Sequence, residues 1–352
     1  MPAAQRLLLV FGGRSSEHEI SLRSATEVLA ALDRARFTPV LLGVRRDGGW
    51  RTGPDNLPLT EIISDGQPVH DLRALQPALV FPVLHGPHGE DGTFQGLLEV
   101  LGLPYVGSGV LASALCMDKA LCKHLLHHQS PPVPVVPWIE LGARALDTMR
   151  ERQTTIDAVQ DRLGFPCFVK PANQGSSVGV SRATDGDDLV RALGLAVRYD
   201  HKLLVERAVD AREIEFSVLG NGDEHTIVSG PGEIGLPPGA WYDYDNKYLK
   251  DVATLQIPAQ LPDDLITRMQ DICLRAFRLT GCKGLARVDF LVDRTTLEPY
   301  LNEINTMPGF TSISMYPKLL GHLGVGYTEV LTRLCDLALA HHAERQRLSV
   351  TR

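Results

Sequence analysis

The chain has 352 residues, with 35 Lys plus Arg against 42 Asp plus Glu, a formal net charge of −7 at pH 7. That balance argues against a general nucleic-acid binder, and 44% hydrophobic with 22% charged residues is a globular rather than a disordered composition. The six cysteines (Cys116, Cys122, Cys167, Cys273, Cys282 and Cys335) form no CxxC pair and no zinc or disulfide-scaffold spacing, so they are expected as reduced, mostly core, thiols. Residues 1–6 lead into only about six apolar residues before Gly12-Gly13, and no run approaches the roughly 18 of a membrane span. The expectation is a soluble cytoplasmic protein whose partners include neither nucleic acid nor a membrane.

Residues 7–11 are a continuous apolar run that stops at Gly12-Gly13, after which Ala25, Val28, Leu29 and Leu32 recur at helical spacing. Apolar runs over 40–44 and 78–83 repeat the buried-strand pattern, a helical stretch covers 97–101, and 103–106 reads as a last strand. The first hundred residues therefore predict an open parallel α/β domain. A helix over 118–128 is stopped by the four prolines of 130–137. Between 147 and 207 the pattern runs helix (147–163), strand (165–170), glycine loop (173–179), strand (180–182), helix (187–199) and strand (203–206), a small α+β domain. Residues 213–219 alternate charged and apolar, Asn221-Gly222 signals a hairpin, and 225–228 supplies its second strand. The segment 236–251, with two prolines, one tryptophan and three tyrosines, is expected as a functional lid. A helix over 261–279, strands over 285–292 and 299–304, and a helix over 327–343 complete the pattern.

Two matches to the dinucleotide fingerprint fail on context. Gly107-Ser-Gly109-Val-Leu-Ala112 has no acid about 20 residues on to hold a ribose, and Gly230-Pro-Gly232-Glu-Ile-Gly235 runs into Leu236-Pro-Pro, which cannot open a helix. No GxxxxGK[ST] loop is present either. The segment Lys170-Pro-Ala-Asn-Gln-Gly175-Ser176-Ser177-Val178-Gly179 is different, because a strand-end lysine and a small-residue turn together suit a triphosphate. Arg287-Val-Asp289 and Glu303-Ile-Asn305 stand on successive predicted strands, and their two-residue spacing points each polar pair to one face. Asp289, Glu303 and Asn305 then offer the hard oxygen donors that magnesium selects, while Val288 and Ile304 turn into the core; the alternative is a solvated sheet face. Glu17 and Ser21 lie just past the first glycine turn, where α/β sheets place ligands, although, taken alone, Glu17 and Glu19 read rather as helix-start acids favoured by the dipole. His85-Gly-Pro-His88-Gly-Glu90-Asp91-Gly92 occupies the same edge and suits a substrate-pocket turn better than a metal site, for want of a third ligand.

Five segments in order, 16–21, 85–92, Met117-Asp118-Lys119, 170–179 and Asn302-Glu303-Ile-Asn305-Thr-Met-Pro-Gly309, resemble those of the D-alanine:D-alanine ligases of the ATP-grasp superfamily, over nearly the whole chain. The resemblance implies three domains, expected over 1–108 (N-terminal α/β), 109–207 (central, with the phosphate loop) and 208–352 (C-terminal, with a lid at 236–252), and ATP between the last two. It implies that Lys119 and Lys170 hold ATP phosphates beneath the turn containing Gly175 and Ser177, that Glu206, Arg207 and Val209 form the adenine hinge, and that Glu213 takes the ribose hydroxyls. Arg207 departs from the expected Lys or Gln. Asp289, Glu303 and Asn305 match a two-magnesium site, with manganese as a substitute and potassium as a further cation. Arg287 and the Gly309 amide match the groups around the transferring phosphoryl and the oxyanion; Glu17, with Ser176 and Tyr248, matches the anchor of the first D-alanine; Ser314 and Met315 match the clamp on the second. Lys247 and Tyr248 fall in the mobile loop, and the tyrosine favours D-alanine over D-lactate as second substrate. A homodimer is implied as well.

Overall fold

The computed structural model describes residues 4–235 and 254–349; Lys247, Tyr248 and the segment 236–252 expected as a lid thus lie outside the described residues. The apolar run at the start forms β1 (Gln5–Gly12), followed by α1 (His18–Ala31) and β2 (Phe37–Val44). Then come β3 (Trp50–Gly53), α2 (Leu59–Asp65), β4 (Gln67–Pro68), β5 (Leu79–Pro82) and α3 (Thr93–Leu101). The sheet order is β4-β3-β2-β1-β5. Its centre is parallel, as the continuous apolar runs require, and an antiparallel pair, β3 and β4, edges it. The expected strand at 103–106 is reduced to a single parallel bridge from Tyr105 to Val80, because Pro104 has no N–H to extend a ladder.

Two short helices follow, α4 (Val110–Met117) and α5 (Lys119–His127), the second capped by Asp118, whose carboxylate accepts from Leu121 N at 3.0 Å. The central body contains β6 (Trp138–Gly142), α6 (Met149–Arg162), β7 (Cys167–Pro171), β8 (Ser181–Ala183), α7 (Gly186–Ala196) and β9 (Lys202–Arg207). Its antiparallel sheet runs β6-β9-β7-β8. Thr148 and Glu151 form a reciprocal capping box at the start of α6, and Val159, Leu189, Leu193 and Val205 form the apolar layer between helices and sheet.

The last body holds β10 (Ala211–Gly220), β11 (Ile227–Val228), β12 (Gly232–Gly235), β13 (Thr254–Gln256), α8 (Asp263–Thr280), β14 (Gly284–Asp293) and β15 (Pro299–Asn305). Its sheet order is β13-β12-β10-β14-β15, with β11 on β10 at the expected hairpin. Helices α9 (Met315–His322) and α10 (Tyr327–Gln346) close the chain.

The packing does not follow chain order. Residues of α4 and α5, including Cys116, Cys122 and Leu126, are buried with α8 and the inner face of the third sheet. Phe310, Tyr316 and α10 are buried with β1, α1 and β5 of the first domain. All six cysteines are free and buried. No helix among the described residues is long and apolar enough to cross a membrane.

Phe290, 1% exposed, lies directly behind Asp289 and packs edge-on against Phe216 at 5.7 Å between ring centroids. Phe290→Ala is expected to cost about 3–5 kcal/mol through cavity formation. Urea unfolding checks this, and a loss below about 1 kcal/mol would contradict the placement.

Candidate active site

Alternation along β14 and β15 does the first work. Asp289 stands directly opposite Glu303, and Arg287 opposite Asn305, while Val288 and Ile304 are buried beneath, 0% and 3% exposed. A register shift after Asp289 marks a bulge at this point of the ladder. On the other side of β14, Glu215 of β10 pairs with Asp289. Glu215, Asp289 and Glu303 are therefore neighbours in one row across three strands. The Arg287 guanidinium answers this charge, with Nε and Nη2 donating to the two Asp289 oxygens at 2.7 and 2.6 Å and Nε lying 3.1 Å from Glu215. Burial works against its charge, yet Asp289 and Glu215 outweigh that and hold its pKa far above the usual arginine value.

The glycine-rich turn sits above. Asp200 accepts from the Asn173 backbone N–H at 2.7 Å and fixes its start, and Lys119 Nζ donates to Gln174 O at 2.6 Å. Ser176 and Ser177 hold φ of 49° and 56°, two consecutive non-glycine residues in the left-handed region, strain on the order of 1 kcal/mol each. This conformation turns Ser176 toward the first domain, where its hydroxyl donates to Glu17. Glu17 occupies the N-cap position of α1 but makes no side-chain cap hydrogen bond. Its carboxylate thus turns to Ser176 rather than capping its own helix. Glycines make room for it: a Cβ at Gly86 or Gly175 would come within 2.7 or 3.0 Å of Glu17 Oε2. Glu19 instead reaches Arg46 at 2.9 Å on the surface, and Ser21 is used internally, bridging Gly12 N and Val83 O.

Lys170 ends β7 and places its ammonium 2.6 Å from Glu206, which ends β9 and also meets Lys123 at 2.9 Å. Burial opposes the Glu206 charge, but the two ammonium groups prevail and hold its pKa at about 2. Lys119 lies 3.8 Å from Glu303. On the side of the first domain, His85 Nδ1 is 3.0 Å from Met307 O, and Nε2 is 3.2 Å from Ser24 Oγ. Burial disfavours the imidazolium, whereas Glu90 and Glu17 outweigh it and raise the pKa. Gly309 and Ser314 belong to a loop in which Ser314 Oγ meets Thr311 Oγ1 at 2.7 Å, and Met315 packs with Ile234 and Leu319.

Two adjoining cavities collect these groups. The larger, about 1090 Å³, is lined by Lys170, Ser177, Glu206, Arg207, Val209, Glu213 and Asp289. The smaller, about 520 Å³, is lined by Glu17, His85, Gly175, Asn305, Gly309, Ser314 and Met315. Lys119, Ser176, Arg287 and Glu303 line both, so the two spaces meet over the carboxylate row. Among the described residues, each one given a role by the family resemblance borders one cavity or the other, while Ser21 borders neither. Two charged residues escaped the sequence reading: Glu215, whose signal was its two-residue spacing from Glu213, and Lys123, one helical turn from Lys119. Among the described residues no three His, Cys, Asp or Glu side chains gather tightly enough to hold a metal by themselves. A divalent ion would take Asp289 and Glu303 with the Asn305 amide and finish its shell on phosphate oxygens, the donor chemistry that magnesium accepts.

Comparison with known proteins identifies the family. The D-ala D-ala ligase N-terminus family matches residues 6–108, and the D-ala D-ala ligase C-terminus family matches residues 128–336. The D-alanine–D-alanine ligase of Heliobacterium modesticaldum is 47% identical over 99% of this chain and 98% of its own length. That of Solibacter usitatus is 43% identical over 97% of each. Among solved structures, the D-alanine–D-alanine ligase from Coxiella burnetii has a TM-score of 0.83 at 33% identity, covering 98% of this chain and 96% of its own. The VanG D-Ala:D-Ser ligase from Enterococcus faecalis also scores 0.83, at 30% identity over 96% of this chain and 100% of its own. With both family regions in order and such likeness end to end, this chain belongs to the D-alanine–D-alanine ligase family.

Proposed function

We propose that this chain joins two D-alanine molecules into D-alanyl-D-alanine, a peptidoglycan precursor, with conversion of ATP to ADP. The observation that carries the reading is the meeting of the two cavities at Lys119, Ser176, Arg287 and Glu303. The larger is the nucleotide space. Lys119, Lys170 and the turn with Gly175 and Ser177 take the phosphates, Glu206, Arg207 and Val209 the adenine, and Glu213 the ribose. The smaller is the amino-acid space. Glu17, with Ser176 and Tyr248, receives the ammonium of the first D-alanine beside His85, and Ser314 with Met315 holds the carboxylate of the second.

In this reading the carboxylate of the first D-alanine attacks the γ-phosphate, and the amine of the second displaces phosphate from the resulting acyl phosphate. Phosphoryl transfer asks the protein for in-line positioning and charge neutralisation rather than a nucleophile, which suits a junction lined by lysine, arginine and acids. Asp289, Glu303 and Asn305 would hold two magnesium ions, which would supply charge neutralisation to the phosphates. Arg287 stands at the junction to stabilise the transferring phosphoryl, and the Gly309 N–H donates to the oxyanion of the second step. Lys247 and Tyr248 belong to the segment that closes over ATP and keeps water from the acyl phosphate. Manganese as a substitute, potassium as a further cation and a cytoplasmic setting complete the proposal. So does a homodimer, supported by exposed apolar residues on neighbouring helices, Val100 at 86% on α3 and Leu111 at 76% on α4. The curated relatives described above favour D-alanine over D-serine or D-lactate as second substrate.

With ATP and magnesium, ADP is expected to appear with D-alanine but not with L-alanine or without amino acid, and the product to have the mass of the D-Ala-D-Ala dipeptide. ADP formed only when D-serine or D-lactate is added would transfer the reading to those ligases. Asp289→Ala is expected to lower turnover by on the order of 10² or more; near-normal turnover at saturating magnesium removes Asp289 from the metal site. Tyr248→Phe is expected to change the ratio of D-Ala-D-Ala to D-Ala-D-lactate formed across pH, and an unchanged ratio would sink its selectivity role.

A further inference from the structure

Lys123 lines neither cavity, yet it is 2% exposed, as buried as the Glu206 it meets. Its ammonium lies 2.9 Å from Glu206 Oε1, 3.4 Å from Val136 O and 5.7 Å from the centre of a Trp138 ring. Glu206 Oε2 is already engaged by Lys170 at 2.6 Å. One lysine suffices to neutralise one carboxylate, and taking a second ammonium out of water has a desolvation cost of several kcal/mol in general. Pairing alone therefore does not account for Lys123.

Charge counting does. Lys170 borders the larger cavity and feels three carboxylates, Glu206, Glu303 and Glu213. Without Lys123, the Lys170–Glu206 pair would present no net charge to an entering anion. With it, the three groups carry a net charge of one positive unit, and only Lys170, not Lys123, faces the cavity. We propose that Lys123 is a positioning residue for the nucleotide: it cancels Glu206 from behind, so that Lys170 meets the ATP phosphates with its charge no longer neutralised by Glu206. This rests on the reading of the larger cavity as the nucleotide site. Helix α5 joins the two cations mechanically, since Lys119 at its first residue holds the glycine-rich turn and Lys123, one turn on, reaches Glu206 from the same face.

Calorimetric titration with magnesium-ADP, which reads binding without turnover, tests this alongside steady-state kinetics. Lys123→Met is expected to weaken ADP binding and raise KM for ATP by on the order of tenfold, with KM for D-alanine unchanged. Lys123→Arg should keep wild-type affinity. The charge argument makes one demand that a merely structural role would not meet: Lys123→Met should weaken magnesium-ADP but leave adenosine, which has no phosphate, bound as by the wild type. Should Lys123→Met fail to fold, Lys123→Gln is titrated in its place, and the same tenfold weakening is expected. Wild-type ADP affinity in the neutral variant, or adenosine weakened as much as ADP, overturns the proposal. Lys170→Met separates the two readings: if it too binds ADP like wild type, the nucleotide assignment of the cavity fails, whereas a weak Lys170→Met beside a normal Lys123→Met overturns Lys123 alone.

Discussion

Three carboxylates in one cross-strand row, Glu215, Asp289 and Glu303, set the electrostatic problem that the rest of the site answers. Like charges directly opposite each other in a sheet repel, and here they stand over a dry layer of Phe216, Val288 and Ile304 that gives no screening. The sheet holds them there because those apolar neighbours, one residue away along each strand, are worth burying. Arg287 compensates for part of the charge through Asp289 and Glu215, and Lys119 approaches Glu303. The remaining demand for positive charge is one that a divalent ion meets, and it lies where two cavities join. An acidic row with too few fixed cations thus sets both the place and the chemistry of the site.

The same compensation recurs one sheet away with the sign reversed. Glu206 gathers Lys170 and Lys123, so the three groups together carry one more positive charge than negative. Phosphate oxygens would then lie between a cationic wall from the central sheet and an acidic row from the third sheet, the latter made attractive only by metal. Electrostatic preorganisation of this kind lets a site favour phosphoryl transfer without a protein nucleophile. It also costs stability, since each buried ion is desolvated on folding and the two left-handed serines of the glycine-rich turn are strained.

The site lies at seams. The first domain contributes Glu17 and His85, the central body the glycine-rich turn and Lys170, and the third sheet the acidic row. Polar contacts cross the seams, such as Ser176 with Glu17 and Lys170 Nζ with Asn302 at 3.4 Å, and Trp138 of the central sheet packs against the apolar core of the third body. The first and third bodies share a further apolar core through Phe310, Tyr316 and α10.

The longer strands and helices, the i, i+2 pairs on β14 and β15, and the glycine-rich turn were legible in the chain, because each depends on residues near in sequence and on backbone periodicity; the short elements β3, α2, β4, α4, β6 and α9 were not, for they carry too few periods to stand out. So was the family, because five short segments keep their order and spacing. Other features were not legible. That Glu17 turns away from its own helix to meet Ser176 depends on glycines at 86 and 175 leaving room beside it. That α4 and α5 are buried with the third sheet, and that residues 307–320 complete the core of the first domain, depend on contacts between segments far apart in the chain. Glu215 and Lys123 carried only spacing signals that ordinary surface residues share. The sequence by itself determined the longer elements and the identity of the polar groups, since local periodicity encodes them; only the tertiary structure decided which charges share a low-dielectric space, because that is a property of distance and burial rather than of order along the chain.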